Sequence, residues 1–178
     1  MATDEITHYL KSLDVRYISL VDKGANKREL IYKSHRGDPT EGNLISKELR
    51  IIRKDEDKRL VYCTVYAPDE PDAHGDAMTA DEIEKSAHGF LAAGRTDKVD
   101  KQHNQEDGEG LIVESFVLKG TDSRFSDEKE GAWVVAIKIL NDDTWEEIKK
   151  GDITGVSLQG YAEREEVEKK SDLGQRIS

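Results

Sequence analysis

Leu111-Ile112-Val113-Glu114-Ser115-Phe116-Val117-Leu118 and Ala132-Trp133-Val134-Val135-Ala136-Ile137-Lys138-Ile139 are two apolar runs, rich in β-branched and aromatic residues. Each is long enough to cross a sheet. The acidic stretch between them, residues 120–131, is longer than an ordinary hairpin connection and reads as either a lid or a plain loop.

The same strand character recurs on both sides. Upstream lies Leu60-Val61-Tyr62-Cys63-Thr64-Val65-Tyr66, bounded by the charged turn at 54–59 and by Pro68. Further upstream, Val15-Arg16-Tyr17-Ile18-Ser19-Leu20-Val21 is closed by the turn-prone Asp22-Lys23-Gly24-Ala25-Asn26, and downstream lies Ile153-Thr154-Gly155-Val156-Ser157-Leu158-Gln159-Gly160-Tyr161. Residues 29–33 and 49–52 are weaker strand segments, and 35–43, with Gly, Pro and polar residues, read as a mobile loop. From Glu163 onward the chain is charged and is expected to fray.

Two helices interrupt the strands. Thr79 with Glu82 forms a capping box ahead of Ile83, Ala87, Phe90 and Leu91 on one face, and Gly94 stops the pattern. Asp143 with Glu146 opens a second, carrying Trp145 and Ile148 and closed by Lys149, Lys150 and Gly151. Mostly strands with two inserted helices and no internal repeat predict a β-rich α+β domain. Partial closure into a barrel would remove exposed edges.

The chain has 178 residues, with 27 Lys+Arg against 38 Asp+Glu, for a net charge of −11. That length is one domain, or one domain with a short arm. An acidic surface without a basic, aromatic-interleaved stripe argues against a nucleic-acid binder. No apolar window approaches a membrane span and the N-terminus lacks signal-peptide order, so a soluble, intracellular protein is expected. The single cysteine, Cys63, excludes an intrachain disulfide and a multi-Cys zinc site; flanked by Val61 and Val65 in alternation, it reads as an inert core thiol.

Small or polar residues break the strand pattern at Asp100-Lys101-Gln102-His103-Asn104 and at Gly155-Val156-Ser157-Leu158-Gln159-Gly160. Ser and His are the minimum for acyl transfer, because a hydroxyl is a weak nucleophile until an imidazole takes its proton and a carboxylate fixes the imidazole's tautomer. The plainer reading is a strand serine bonded to backbone and a surface histidine. The spacing G-x-S-x-x-G departs from the G-x-S-x-G nucleophile elbow and disfavours an α/β-hydrolase. The segment from Glu70 to Asp81 faintly resembles a calcium loop, but His74 would replace an oxygen ligand and Asp81 would stand where a bidentate Glu is expected. A proline-ordered turn before the helix is the better reading. A zinc site from His74, His88 and His103 has no support in their spacing, His88 reads as structural, and His8 and His35 fall in segments that look mobile. No cofactor or metal is expected.

Taken together, Val65-Tyr66-Ala67-Pro68-Asp69, Asp72-Ala73-His74-Gly75-Asp76-Ala77-Met78-Thr79-Ala80-Asp81-Glu82-Ile83, Gln102-His103-Asn104 and Gly155-Val156-Ser157-Leu158-Gln159-Gly160-Tyr161 resemble the XkdF-like phage serine proteases, relatives of the prohead maturation proteases. The resemblance runs from about residue 12 to about 165. It divides the chain into an N-terminal arm, 1–11, a protease-like barrel, 12–165, and a charged tail, 166–178.

The resemblance implies an assemblin-like fold, a β-barrel flanked by helices, with His before Ser in chain order. Ser157 would be the nucleophile and His103 the general base and then acid. The family pattern carries its third, carboxylate member downstream of the serine, before a segment of the form E-V-S-L-V-x-x-P-A-N. Here the similar string is N-terminal, at residues 13–26, which implies a circularly permuted barrel. Asp14 is then the best-placed carboxylate, with Tyr17 where the pattern often has Glu, and Asp22, Glu163 and Glu165 remain rivals, as do a Ser/His dyad and a triad completed by an unexpected residue. Backbone N–H groups near Ser157 or an Arg could supply the oxyanion site; Arg16, the only arginine on the permuted strand, reads equally as an exposed strand residue.

The implied function is that of a prohead maturation endopeptidase, possible self-cleavage included, acting on phage scaffold and major capsid proteins in an assembling procapsid within the bacterial host cytoplasm. Homodimerisation follows by analogy with assemblin. The competing readings are a catalytically inactive head-assembly module and a calcium-stabilised binding module on the Glu70 to Asp81 loop.

Overall fold

The computed structural model describes residues 5–22 and 42–168. Their elements are β1 (His8–Val21), β2 (Asn43–Asp55), β3 (Leu60–Tyr66), β4 (Asp76–Ala77), α1 (Ala80–Ala92), β5 (Val99–Lys101), β6 (Gly110–Val117), β7 (Trp133–Ile139), α2 (Asp142–Lys150) and β8 (Gly155–Glu166). The expected strand at 29–33 and most of the loop at 35–43 lie outside the described residues.

Seven strands follow one another in the order β1-β5-β6-β7-β3-β2-β8, and β8 pairs back onto β1, so the barrel is closed where only partial closure was expected. The closing ladder is antiparallel and runs from His8↔Glu166 to Val21↔Gly155. Gly160 makes it possible: a Cβ there would overlap the Asp14 carbonyl oxygen. The two-residue β4 extends β1 beyond the barrel, and β1 pairs in parallel with both β4 and β5.

One apolar cluster draws on every barrel strand, with Leu20, Leu49, Cys63, Val99, Ile112, Val135 and Leu158 among its members, and is therefore the barrel interior. Side chains alternate along a strand, so Ser19, Asp100, Ser157 and Gln159 face outward. Cys63 is fully enclosed and burial pushes its thiol up to about 12, which leaves it inert at neutral pH. A second, smaller cluster of Tyr62, Leu118, Phe125 and Val134 lies on the outer face of β3 and β7.

The closure is thinnest between β5 and β6, which share the single pair Val99↔Gly110, supplemented by the Ile112 N–H to the Thr96 carbonyl at 2.8 Å. Helix α1 packs against β1, β6 and β7 beside this seam. Thr79 caps it, accepting from the Glu82 N–H at 3.3 Å, and Phe90 lies 5.8 Å from the Trp133 ring. Leu91, expected on the buried face, is 48% exposed; at about 100° per residue it stands roughly 80° round from Ile83, on the rim of the buried face. For α2 the cap is Asn141, two residues before the expected Asp143, with Gly151 closing the helix at φ +82°.

Three boundaries differ from expectation. β1 begins at His8, taking in the end of the expected N-terminal arm, and β2 spans thirteen residues instead of four because its ladders with β3 and β8 extend well beyond residues 49–52. β8 continues to Glu166 through the stretch expected to fray, held by pairing with β1. The 120–131 connection is no lid: Phe125 is buried against Tyr62, and Glu128, 5% exposed, accepts from Thr64 Oγ1 at 2.7 Å and Arg50 Nη2 at 2.8 Å.

Candidate active site

Strand β8 turns Ser157 and Gln159 outward between the inward Val156 and Leu158. The ladders place Ser157 directly opposite Ser19 on β1, Ser19 opposite Asp100 on β5, and Glu48 on β2 on the other side of Ser157. Directly opposed residues share a face, so Asp100, Ser19, Ser157 and Glu48 form one outward row across four strands. Glu48 is exposed, whereas Ser157 is 3% exposed and Ser19 and Asp100 are fully covered. The Ser157 hydroxyl makes no side-chain hydrogen bond to any described residue.

His103 enters from the turn after β5. Gln102 and His103 both adopt left-handed backbone, at φ +54° and +59°, and the Asn104 N–H donates to the Lys101 carbonyl at 3.2 Å, as in a type I′ turn. Holding two non-glycine residues there costs on the order of 1 kcal/mol each. The turn is anchored by the Gln102 N–H to the Leu20 carbonyl at 2.9 Å and the Asp22 N–H to Gln102 Oε1 at 3.3 Å. It sets His103 Nδ1 2.8 Å from Gln159 Nε2.

The electrostatics suit a base. Burial pushes the His103 pKa below its ordinary value, opposed by the Asp100 charge, so the imidazole is neutral at pH 7 and has a lone pair to accept a proton. Burial raises the Asp100 pKa, against the pull of the Ser19 hydroxyl, the Gln105 N–H at 2.8 Å and His103. Ser19 Oγ and Asp100 Oδ1 nonetheless complete no hydrogen bond of normal geometry. The Gln159 amide sets the tautomer: donating to Nδ1 it leaves the ring proton on Nε2, and rotated by half a turn it accepts from Nδ1–H and frees Nε2 as the base.

The sequence-predicted residues divide accordingly. Ser157 and His103 come to the same stretch of β8, His103 beside the residue two positions after Ser157. Asp14 does not join them: its carboxylate is held by the Arg95 guanidinium and by Arg16 Nε at 3.0 Å, opposite Tyr161. Arg16 lies over the Tyr161 ring as well, at 5.5 Å. Of the rivals, Glu163 and Glu165 pair further down the ladder, opposite Lys11 and Tyr9. Asp22 sits at the end of β1, where its backbone binds Gln102. Tyr17 stands opposite Gln159.

Asp100 is a carboxylate whose charge raises the His103 pKa, three residues before the histidine in the same polar segment. Ser19 carried no signal in sequence, because its place between Ser157 and Asp100 comes from register alone. In the Glu70 to Asp81 loop, Asp72 accepts from the His74 and Asp76 N–H groups and from Tyr66 Oη, and Asp76 is gripped by Arg164 through Nε and Nη2. The segment is thus a turn, held by the Asp72 carboxylate where prolines were expected to order it. Among the described residues no group of three or more His, Cys, Asp or Glu could hold a metal, so His74, His88 and His103 do not converge. No described helix is long and apolar enough to cross a membrane.

Residues 48–166, more than half of the chain, match the family described as "Putative phage serine protease XkdF". The chain belongs to the XkdF family. Two Bacillus subtilis (strain 168) proteins are similar to it along 90% of its length: the phage-like element PBSX protein XkdF at 42% identity and the uncharacterized protein YqbD at 43%. The chain spans about half the length of these curated relatives, 58% of XkdF and 48% of YqbD. No solved structure matches it. The XkdF family match starts at residue 48 and so omits β1, the strand that supplies Ser19.

Proposed function

We propose that the protein is a serine endopeptidase of phage head assembly, with Ser157 as nucleophile, His103 as general base and acid, and Asp100 in place of Asp14 as the carboxylate that stabilises the imidazolium. The observation that carries this reading is the outward row itself: the Ser157 hydroxyl on β8, a covered carboxylate two strands away and a neutral imidazole held over the same strand. Ser157 Oγ attacks the scissile carbonyl as His103 takes its proton. His103 then returns that proton to the leaving amine, and water repeats the sequence on the acyl-enzyme.

The family's name supports protein chains as substrates. Scaffold and major capsid proteins in the procapsid, in the cytoplasm of the bacterial host, fit that name, with self-cleavage and a homodimer as further parts of the proposal. The closed barrel, with β1 carrying most of the string at 13–26 and pairing with β8, supports an assemblin-like fold, circularly permuted so that this strand precedes the others in sequence. The test is co-expression with the neighbouring scaffold and capsid proteins, read by intact mass and gel. Cleavage present in wild type and lost in Ser157→Ala establishes the reading. Identical uncleaved partners in both, with assembly formed, overturn it in favour of an inactive head-assembly module, which the 3% exposure of Ser157 favours.

A further inference from the structure

We infer that Ser19 is a positioning residue for Asp100, an inference that rests on the proposed Ser157–His103–Asp100 site. Two buried polar atoms that lack partners are rare, and here they are neighbours: Ser19 Oγ and Asp100 Oδ1, on residues directly opposed in the β1/β5 ladder and both fully covered. A strand position that needed only to fill space would carry an apolar side chain, as Val21 does two residues on along the same face. A hydroxyl there stands between Ser157 on β8 and Asp100 on β5, and of the two it is the carboxylate, once charged, that gains most from its donation.

The other groups acting on Asp100 are the Gln105 N–H, its own N–H and His103. The Gln105 N–H holds Oδ2, which leaves Oδ1 to Ser19. Ser19 therefore keeps Asp100 ionised and its free oxygen oriented in a covered place where burial alone favours the neutral acid. When His103 takes the Ser157 proton, the charge that stabilises the imidazolium depends on this hydroxyl. Ser19 Oγ makes no hydrogen bond to Ser157 or His103, so its part is to position and not to transfer a proton.

The experiment follows Asp100 directly. Carboxyl-carbon NMR of the full chain, with Asp100→Asn to assign the signal, gives its titration midpoint in wild type, Ser19→Ala and Ser19→Thr. The expected result is a midpoint raised by about one pH unit in Ser19→Ala, the scale of one lost hydrogen bond to a charged group, and restored toward wild type in Ser19→Thr. Coincident wild-type and Ser19→Ala midpoints overturn the inference.

The second readout is the rate at which a fluorophosphonate labels Ser157. It is expected to fall about tenfold in Ser19→Ala on the acid side, where a one-unit shift changes the ionised fraction of Asp100 by that factor. On the alkaline side, where Asp100 is ionised in both forms, the rates should converge; a uniform loss across pH overturns the positioning role. If wild-type Ser157 takes no label, the catalytic reading fails while the Asp100 titration still decides whether Ser19 and Asp100 are coupled.

Discussion

Ser19 and Ser157 stand directly opposite each other across the antiparallel ladder that joins β1 to β8 and closes the barrel. With Asp100 next in line on β5, the polar groups of the candidate site come from strands far apart in sequence and adjacent in space. Their alignment depends on register, and a one-residue slip of β1 would turn Ser19 inward and Leu20 outward.

The Asp100 carboxylate raises the His103 pKa, so Asp100→Asn should lower it. Labelling of Ser157 by a fluorophosphonate should then slow by roughly a hundredfold or more through loss of imidazolium stabilisation, while the His103 limb of the rate profile moves to lower pH. Rates measured by intact mass from about pH 4.5 to 8.5, about 2 pH units either side of the ordinary His value, check both. An Asp100→Asn profile lying on that of wild type would exclude the carboxylate from the mechanism.

The same substitution should stabilise the fold at neutral pH. Burial raises the Asp100 pKa, so the folded state binds its proton more tightly than the unfolded chain. The associated stability is fully present below the unfolded pKa and lost as pH rises through the folded one. Asn removes that loss. The Tm of Asp100→Asn is expected to exceed that of wild type at pH 7, with the gap narrowing as pH falls toward 4, near the ordinary Asp value. Higher stability with lower activity is the pattern expected of a functional group, and a gap that is constant with pH would refute its origin in ionisation.

Lys47 presents a parallel case. Its partner in the β2/β8 ladder is the interior Leu158; Nζ donates to the Val65 carbonyl at 2.7 Å and lies 3.4 Å from the Tyr66 ring centroid, and burial lowers its pKa to about 8. The folded state thus releases this proton earlier than the unfolded chain, and stability should rise with pH from about 8 toward the ordinary lysine value. Lys47→Met should flatten that rise. Urea midpoints at several pH values between 7 and 10 decide it, on a scale set by the ordinary lysine pKa of about 10.4.

Gly160→Ala tests the seam. Its new methyl group meets the Asp14 carbonyl oxygen and Val15 Cα, both backbone, so neither can rotate aside. A loss of about 1–3 kcal/mol is expected, seen as a Tm lowered by several degrees. An unchanged Tm would mean that the two strands part at no cost.

Asp76 is 1% exposed and bound through both oxygens to Arg164, while His8 Nδ1 lies 3.5 Å away. Because the arginine is partly exposed, Asp76→Ala should cost about 2–3 kcal/mol, less than a fully buried pair. The loss should appear in the urea midpoint.

Strand content was legible because alternating β-branched runs such as Leu60 to Tyr66 declare themselves locally, and so were both helices from their caps and apolar faces. Closure was only partly legible, since it depends on Gly160 admitting β1, a contact between the ends of the described chain. Ser157 and His103 stood out because small or polar residues interrupt apolar strands. Asp100 was hidden by its proximity to His103, where it reads as part of one polar segment, whereas the displaced string at 13–26 points to Asp14. Ser19 looked like any strand serine until its neighbours across two ladders were known.

Ribosomes deliver β1 first and β8 last. Ser19 therefore waits through the synthesis of nearly the whole barrel for the strand that carries Ser157. Domains fold as units while chains emerge, and contacts this distant in sequence form late. A nascent chain lacks the row altogether, so any chemistry it supports begins after translation of the barrel is complete.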